Sequence, residues 1–289
     1  MLKVTARAKI NWALDILGLL DNGYHRMDIL TSSVSLADEL YLKPHSSLTL
    51  AIEGNSAISA EDNLVLHAAN ALREKAGYTG GAEITLHKHI PLGAGLGGGS
   101  ADAAATLVGL SRLWRLDLPK DTLHSLASSL GADVAFFLTG GFARIGGFGE
   151  EITPLPPLED IPLVILQPCG PQSSGEAFQL YDLLETISHP DISAAQAALL
   201  NVDFKTLTKA AGNVLQQAIQ PRTPQIAEAL AALDACGAAF TTMTGSGSAV
   251  FGAFADESAA LSAQRILHKR WKKCWVSRTD VQSITIEEG

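Results

Sequence analysis

The stretch that decides the fold is PLGAGLGGGSADAAA, residues 91–105. Five of the seven residues from Gly93 to Gly99 are glycine, which tolerates left-handed backbone angles and lets amide groups approach a ligand closely. Ser100 is a good N-cap, and the alanines that follow are strong helix formers. Because a helix N-terminus presents unpaired N–H groups and the positive end of the helix dipole, this loop and helix predict a phosphate-binding site.

Two common nucleotide motifs and a plain linker are the alternative interpretations of the loop. A P-loop is excluded because its glycine-lysine-serine ending is absent, with no lysine between Lys88 and Lys120. The dinucleotide fingerprint G-x-G-x-x-G matches at Gly93, Gly95 and Gly98, which keeps a dehydrogenase as an alternative. However, a proline separates the match from the preceding strand, and no strand-ending acid follows about twenty residues later. Flexible linkers are also glycine-rich, but they are seldom joined to an alanine-rich helix start.

Segments with strand and helix patterns alternate on both sides of the loop. Residues 82–90 alternate between apolar and polar side chains, as a half-buried strand does, and residues 100–114 predict a helix. Further strands are predicted at 2–17 (as one or two), 33–36, 39–43 and 48–53, and further helices at 119–130 and 224–236. The type of 133–138 stays open. Strands and helices mixed in two halves indicate an α+β fold rather than a doubly wound sheet.

A proline-rich segment, PLPPLEDIP at 154–162, marks the predicted boundary between two domains. Its four prolines interrupt the hydrogen bonding of both helices and strands. The predicted domains are 1–158, which contains the glycine-rich loop, and 159–289.

Composition and charge exclude several classes of protein. Hydrophobic residues make up 47% of the chain and charged residues 18%, which is typical of a globular protein and not of a disordered one. The formal net charge is −9, and the dense basic cluster at 265–273 fits the end of a surface helix, so no nucleic-acid partner is expected. No signal sequence or membrane-spanning apolar run is evident, and three widely spaced cysteines suit a reducing compartment. We therefore expect a cytoplasmic protein with no membrane partner, as a monomer or a homodimer.

A second glycine-serine loop, TGSGS at 244–248, lies between two apolar segments with strand character. By itself it also fits an ordinary hairpin turn. Taken together with residues 93–99, it is a candidate for the opposite wall of a nucleotide site.

Four stretches together resemble a known family of kinases. PLGAGLGGGSADA resembles the phosphate loop of the galactokinase, homoserine kinase, mevalonate kinase and phosphomevalonate kinase superfamily, and TMTGSGSAVFG at 242–252 resembles its C-terminal motif. ARAKINWALDI followed by DNGYHRM near the N-terminus, and LGADVAFFLTGGFARIGGFGE at 130–150, narrow the resemblance to the 4-diphosphocytidyl-2-C-methyl-D-erythritol kinases of the non-mevalonate isoprenoid pathway. The resemblance extends over nearly the whole chain.

The resemblance implies a two-domain small-molecule kinase fold of the α+β class, with a ferredoxin-like C-terminal domain and an active site between the domains. It implies transfer of a phosphoryl group from ATP to a hydroxyl of a small molecule that carries a cytidine diphosphate group. Mg²⁺ is expected to accompany ATP, and no metal ligand of the protein is assigned.

The family's functional roles fall on matching residues of this chain. Asp133, in GADV, is similar to the catalytic aspartate, and Lys9, in AKIN, is similar to the lysine that contacts it and the reacting hydroxyl. Apart from the resemblance, Asp133 also fits a helix cap and Lys9 a solvated strand lysine. The residues expected to contact the cytidine substrate are Asn11, Tyr24, His25 and Phe178. The residues expected to face ATP are Asn63, Pro91, Gly93, Gly95, Leu96, Gly97, Gly98, Gly99, Ser100, Gly245, Ser246 and Gly247.

The chain departs from the family pattern at two places. Ala135 stands where the family commonly has proline, which should affect local rigidity only. Residues 19–22, ahead of GYH, lack the usual basic residue, and this weakens the expectation of an extra contact with the substrate diphosphate. Asp102, near a helix start, is expected to compensate the helix dipole rather than bind a metal.

Two other functions remain as alternatives within the same scaffold. One is another superfamily kinase acting on mevalonate, homoserine or a sugar, and GYH argues against it because those substrates carry no base to stack. The other is a catalytically silent nucleotide-binding protein. The presence of both Lys9 and Asp133 argues against it, because binding alone requires neither.

Overall fold

The computed structural model describes residues 1–21, 23–54, 63–158 and 160–289, which form eleven strands and ten α-helices. The strands are β1 Leu2–Leu19, β2 His25–His45, β3 Thr49–Glu53, β4 Gly81–His87, β5 Phe142–Gly146, β6 Glu151–Pro154, β7 Pro162–Leu166, β8 Phe240–Met243, β9 Val250–Ala253, β10 Cys274–Asp280 and β11 Ile284–Glu288. The helices are α1 Leu64–Ala76, α2 Gly98–Leu113, α3 Lys120–Leu130, α4 Ala132–Thr139, α5 Ser174–Tyr181, α6 Ile192–Leu200, α7 Phe204–Ala210, α8 Val214–Ile219, α9 Pro224–Ala235 and α10 Glu257–Leu267. The predicted α+β class is confirmed. None of these helices is both long and apolar enough to cross a membrane.

A long antiparallel hairpin of β1 and β2 frames the N-terminal half. The sequence predicted separate strands at 33–36 and 39–43, but β2 runs unbroken through both. The prediction was wrong because Asp38 interrupts the apolar pattern. Its side chain is nevertheless buried and paired with Lys88, so the strand continues through a charged residue.

Irregularities in the pairing of β1 with β2 lie beside the residues that the family resemblance singled out. The register with β2 shifts between Arg7 and Lys9 and again between Asn11 and Ala13. Such bulges bend a strand and redirect its side chains, and they are common next to functional sites. The two shifts bracket Lys9 and Asn11, so this part of the strand is shaped for more than sheet pairing.

Helices α1 to α4 form a layer against the hairpin, with α2 in contact with α1, α4 and β1. The alanines after the glycine loop are fully buried, and their small side chains allow α2 to pack closely on these neighbours. α2 begins at Gly98, before the predicted 100, because Gly97 is the N-cap with a left-handed φ of 69°. The segment 133–138, whose type the sequence left open, belongs to α4. The four consecutive residues 134–137 of this helix are all buried, so the segment has no amphipathic pattern that would indicate a helix.

The C-terminal half has the ferredoxin-like arrangement that the resemblance implied. Strands β7 to β10 pair antiparallel in the order β10-β7-β9-β8. Helix α9 packs on β8 and β9, and α10 packs on β7 and β10. The helices α5 to α8 are inserted between β7 and α9, and α6 and α8 contact β1.

One sheet runs through both halves. β10 pairs with β2 through Thr279 and Val34, and β11 pairs with β1, so the last strand returns to the N-terminal half. β1, which carries Lys9 and Asn11, therefore pairs with β2 and β11 and also contacts α6 and α8. The boundary between 158 and 159 stays a prediction, and Glu159 lies outside the described residues.

Candidate active site

A cavity of about 750 Å³ brings most of the predicted site residues together. Its walls come from β1, the turn before β2, the glycine loop, the start of α4, α5 and the loop between β8 and β9. The predicted residues that line it are Lys9, Asn11, Tyr24, His25, Pro91, Gly93, Gly95, Leu96, Gly97, Gly98, Gly99, Ser100, Asp133, Phe178, Gly245 and Ser246. These residues come from widely separated parts of the chain, so the cavity is built by the tertiary fold.

The glycine loop bends sharply before α2. Gly93, Gly95 and Gly97 all have positive φ, between 55° and 76°. A Cβ at Gly95 would lie 2.1 Å from the carbonyl oxygen of Thr244, so the backbone of the second loop occupies that space. In the first turn of α2, Ala101 N–H donates to Gly97, while the three amides before it have no helical partner by geometry. These amides line one wall of the cavity and suit an anion.

The loop between β8 and β9 is held against both the glycine loop and β1. The amide of Asn11 donates to Thr244 Oγ1 at 3.0 Å, and Thr244 Oγ1 donates in turn to the Gly95 carbonyl at 3.3 Å. The same loop is also held by Asn213, whose Nδ2 donates to the carbonyls of Met243 and Gly245 at 2.9 and 2.8 Å. Asn213 was missed by the sequence analysis, because an asparagine before a short helix looks like an ordinary N-cap, which it also is.

Lys9 and Asp133 meet at the end of the glycine loop. Lys9 Nζ lies 3.6 Å from Asp133 Oδ2 and donates to Asn11 Oδ1 at 2.8 Å. Lys9 is buried, whereas the Asp133 side chain is 46% exposed to the cavity side and sits in the first turn of α4. The Asp133 carboxyl group therefore lies next to the Lys9 ammonium at the start of α4. An exposed carboxylate of this kind can accept a proton from a ligand that enters the cavity.

Aromatic side chains gather at the part of the cavity formed by α5 and the turn before β2. The His25 ring stacks on Phe178 with centroids 4.9 Å apart, and its Nε2 lies 2.7 Å from Asp182 Oδ1. The Tyr24 side chain is 61% exposed, with its ring 5.3 Å from that of Phe148. Phe148 and Asp182 also line the cavity and were missed. The sequence around them gives no further signal: Phe148 lies within GFGE, and Asp182 directly follows GEAFQLY.

Two predicted ATP-facing residues lie outside the cavity lining. Asn63 is the N-cap of α1, where its side chain accepts from the Val65 amide at 2.9 Å, and the neighbouring Leu64 lines the cavity instead. Gly247 faces Met243, since a Cβ there would lie 2.7 Å from its sulfur.

A buried cluster of three charged residues underlies the glycine loop. Lys88 Nζ donates to Asp38 Oδ2 and, at 2.6 Å, to Asp102 Oδ2. All three side chains are at most 3% exposed. Asp102, which the sequence predicted to compensate the helix dipole, is instead buried and paired with Lys88. The available signal was strand alternation, which places Lys88 on the same buried face as Ile84 and Leu86.

Two carboxylates share one ammonium in this cluster, and the pKa values reflect it. Burial raises the pKa of Asp102 to about 8, and the nearby Asp38 carboxylate adds to the rise while Lys88 opposes it. Burial alone would lower the pKa of Lys88, but the two carboxylates raise it above its usual value. Asp102 Oδ1 is buried without a hydrogen-bond partner among the described residues. The cluster therefore favours holding a proton at Asp102 near neutral pH.

We predict that this proton makes the stability of the protein fall as the pH rises. The unfolded chain loses the Asp102 proton near pH 4, whereas the folded chain keeps it until about pH 8, so raising the pH between these values favours unfolding. Urea unfolding at pH 5.5 and 8 should show a loss on the order of 2 kcal/mol in the wild type beyond that in Asp102→Asn. Equal pH dependence in the two proteins would contradict the assignment.

Comparison with known proteins places the chain among the GHMP kinases. The model of the GHMP kinases N terminal domain matches residues 63–141, and that of the GHMP kinases C terminal domain matches residues 195–273. A crystal structure of 4-(cytidine 5′-diphospho)-2C-methyl-D-erythritol kinase superimposes with a TM-score of 0.83 at 32% identity, over 96% of this chain and 98% of that chain. A homoserine kinase from Cytophaga hutchinsonii, at 22% identity, shares the fold with a TM-score of 0.76 over 99% of this chain and 97% of that chain.

Relatives with higher sequence identity narrow the family. A 4-diphosphocytidyl-2-C-methyl-D-erythritol kinase from Symbiobacterium thermophilum is 38% identical over 280 residues, which are 96% of this chain and 99% of that protein. The enzyme of the same name from Deinococcus radiodurans is 39% identical over 284 residues, 96% of this chain and 92% of that protein. Both matches cover nearly the full length of this chain and of the relative. The chain therefore belongs to the 4-diphosphocytidyl-2-C-methyl-D-erythritol kinases, a family of ATP-dependent small-molecule kinases within the GHMP kinases.

Proposed function

We propose that the chain transfers the γ-phosphate of ATP to a hydroxyl of 4-diphosphocytidyl-2-C-methyl-D-erythritol in non-mevalonate isoprenoid precursor synthesis, with Asp133 as general base and Lys9 as its charge partner. The observation that carries the proposal is the Lys9–Asp133 pair, 3.6 Å apart in the same cavity as the glycine loop. A base and its cation next to a phosphate-binding helix start are what a phosphoryl transfer to an alcohol requires.

The glycine loop and the first turn of α2 are the proposed site of the ATP phosphates. Free amides at a helix N-terminus bind phosphate without a side-chain charge, which explains how the site does without a P-loop lysine. Glycine at 95 and 97 is required by close packing as well, since a Cβ at Gly97 would lie 3.1 Å from Lys9 Cγ. Gly245 and Ser246 close the site from the second loop.

Mg²⁺ is proposed to accompany ATP and to be held mainly by the phosphates and water. Among the described residues, no group of three histidine, cysteine or acidic side chains is arranged to hold a metal ion. This fits Mg²⁺ in kinases, which keeps several waters and takes few protein carboxylates. When bound, the ion neutralises charge on the phosphates of ATP.

In the proposed reaction, Asp133 takes the proton of the acceptor hydroxyl as that oxygen attacks the γ-phosphorus, the bond from the γ-phosphorus to the bridging oxygen breaks, and ADP leaves. The exposure of Asp133 allows a substrate oxygen to approach, and the Lys9 ammonium lies beside it as its charge partner. Lys9 itself is fixed by Asn11 and by its own amide, which donates to the Leu96 carbonyl at 3.0 Å. The glycine loop and the base are thereby joined through one residue, which aligns donor and acceptor.

The aromatic end of the cavity is the proposed site of the cytosine. Tyr24, Phe148 and Phe178 supply flat apolar faces, and His25 supplies a ring nitrogen for the edge of the base. An aromatic contact of this kind contributes about 0.5–1.5 kcal/mol beyond the area that it buries.

We predict that Tyr24→Ala raises KM for the cytidine substrate about tenfold and leaves KM for ATP within about twofold, because the exposed ring is lost from one end of the cavity only. Steady-state kinetics with each substrate varied in turn measures both values. Leu183→Ala is the control, since Leu183 is also largely exposed, at 69% against 61% for Tyr24, and does not line the cavity. Equal changes in the two KM values would contradict the proposal that Tyr24 contacts the cytidine substrate.

The experiment that tests the proposed function is an assay of ADP release with a panel of acceptors. The panel contains 4-diphosphocytidyl-2-C-methyl-D-erythritol, mevalonate, homoserine and galactose. We expect turnover with the first alone. Turnover restricted to mevalonate, homoserine or galactose would assign the chain to the chemistry of a sister kinase, and ATP binding without turnover of any acceptor would indicate a silent nucleotide-binding protein.

We propose that the reaction takes place in the cytoplasm. The three cysteines Cys169, Cys236 and Cys274 are all free thiols in the structure, which fits a reducing compartment. The expectation of a monomer or homodimer stays a prediction.

A further inference from the structure

His25 is held by two neighbours at the edge of the cavity. Its Nε2 lies 2.7 Å from Asp182 Oδ1, and its ring lies nearly flat on Phe178, with the two planes inclined by 19°. The His25 side chain is only 14% exposed. Together the two contacts fix both the position of the ring and its rotation.

The Asp182 carboxylate decides which nitrogen of His25 carries the proton. An ionised carboxylate can only accept hydrogen bonds, so Nε2 must be the donor. In a neutral imidazole the other nitrogen, Nδ1, is then an acceptor. Nδ1 has no hydrogen-bond partner within the part of the chain that the structure describes. Because His25 lines the cavity, this acceptor is available to a bound ligand.

The place of Asp182 in its helix argues against a role in helix stability. It is the C-cap of α5, where the negative end of the helix dipole makes a carboxylate unfavourable. Its side chain is 54% exposed, and within the described residues its ion pair is with His25. Because Asp182 does not stabilise its own helix, we infer that its role lies in the contact with His25.

We propose that Asp182 is a positioning residue for base specificity: it holds His25 as the Nε2-protonated tautomer, so that Nδ1 accepts a hydrogen bond from the exocyclic amino group of cytosine. This inference rests on the proposed function. Uracil carries a carbonyl oxygen in place of that amino group, so two acceptors would face each other and neither would be satisfied. Sites built for a specific hydrogen bond reject analogues in this way.

The kinetic test compares Asp182→Ala with a matched control, Glu185→Ala, which removes the same charge from an exposed position three residues along the chain. Each protein is assayed with the cytidine substrate and with its uridine analogue. In Asp182→Ala we expect the cytidine-to-uridine ratio of kcat/KM to fall about tenfold, which is the contribution of one hydrogen bond. The fall should come from a higher KM for the cytidine substrate, and kcat for that substrate should stay within about twofold of the wild type. Glu185→Ala should keep the wild-type ratio. An unchanged ratio in Asp182→Ala would overturn the inference.

A measurement without turnover tests the same idea. ¹⁵N NMR of the free protein, with the His25 signals assigned from a His25→Gln variant, should show the Nε2-protonated neutral tautomer in the wild type and a mixture of tautomers in Asp182→Ala. A wild-type His25 that is protonated on Nδ1 or on both nitrogens at neutral pH would overturn the inference. Failure of the wild type to use the cytidine substrate would instead overturn the proposed function, and the specificity role with it, even if the tautomer is as expected.

Discussion

Asp133→Asn should lower kcat at least about 100-fold, because the amide keeps the size of the side chain and cannot accept the proton of the attacking hydroxyl. ATP affinity should stay within about twofold, because the glycine loop and the α2 amides are unchanged. The two quantities are measured by steady-state ADP release and by equilibrium binding of a non-hydrolysable ATP analogue. A fall in kcat without a fall in nucleotide affinity is the sign of an interaction made in the transition state.

The control for this variant is Asp121→Asn, the same chemical change on the exposed surface of the neighbouring helix α3. Its kcat should equal that of the wild type. An Asp133→Asn enzyme with kcat within about threefold of the wild type would end the role of Asp133 as the base. The Lys9–Asp133 distance of 3.6 Å would then describe an ion pair of structural value only.

Lys88→Met should destabilise the protein by about 3–5 kcal/mol, the cost of leaving buried charge without its partner. Methionine matches the length of the aliphatic stem, but the Asp38 carboxylate, beside the protonated Asp102, then has no cation in the interior. Asp38 is additionally fixed by the amides of His89 and Ile90, at 2.5 and 2.8 Å, so it cannot turn away. Urea unfolding followed by circular dichroism measures the difference in free energy.

A second lysine on the same sheet provides the matched control. Lys43→Met removes an ammonium that is 54% exposed and 3.3 Å from Glu83, and exposed pairs of this kind contribute less than about 1 kcal/mol. The triple variant Asp38→Asn, Lys88→Met, Asp102→Asn should recover much of the stability, because no buried charge remains. Equal stability of Lys88→Met and the wild type would show that the cluster carries no net electrostatic benefit.

The bend of the glycine loop and the helix that follows could be predicted from residues 91–105 because their physics is local. Glycines that allow positive φ, followed at once by strong helix formers, specify a sharp bend and a helix start whatever surrounds them. The structure shifts the helix start to Gly98, since the left-handed Gly97 takes the N-cap position expected of Ser100. Helix ends predicted from local sequence are accurate to within a residue or two, and the difference between Ser100 and Gly98 is of that size.

The pairing of Lys9 with Asp133 came from the family resemblance and not from any periodicity. A lysine on a strand and an aspartate after a helix are ordinary features, and each fits a structural role by itself. Their meeting depends on the bulges in β1 and on the packing of α4 against α2. No local pattern encodes a distance between residues so far apart in the chain.

The errors fall where tertiary packing overrides local preference. Asp38 and Lys88 lie on buried strand faces that should be apolar, so β2 was divided in the prediction and the ion cluster was missed. Asp102 was predicted to compensate the helix dipole because its ion pair is with Lys88, which lies outside helix α2 and is not visible from the local sequence. The segment 133–138 stayed open because four consecutive buried residues, 134–137, give no polar face that would reveal the helical period.

The sequence by itself determined the class of fold, the bend of the glycine loop and, through its motifs, the kinase family, since these depend on backbone preferences and on residue patterns read along the chain. Only the tertiary structure decided that Lys9 meets Asp133, that two carboxylates share Lys88 beneath the loop, and that Asp182 holds His25. Each of these is a contact between side chains from different elements. Its strength depends on burial and distance in space, which spacing along the chain does not specify.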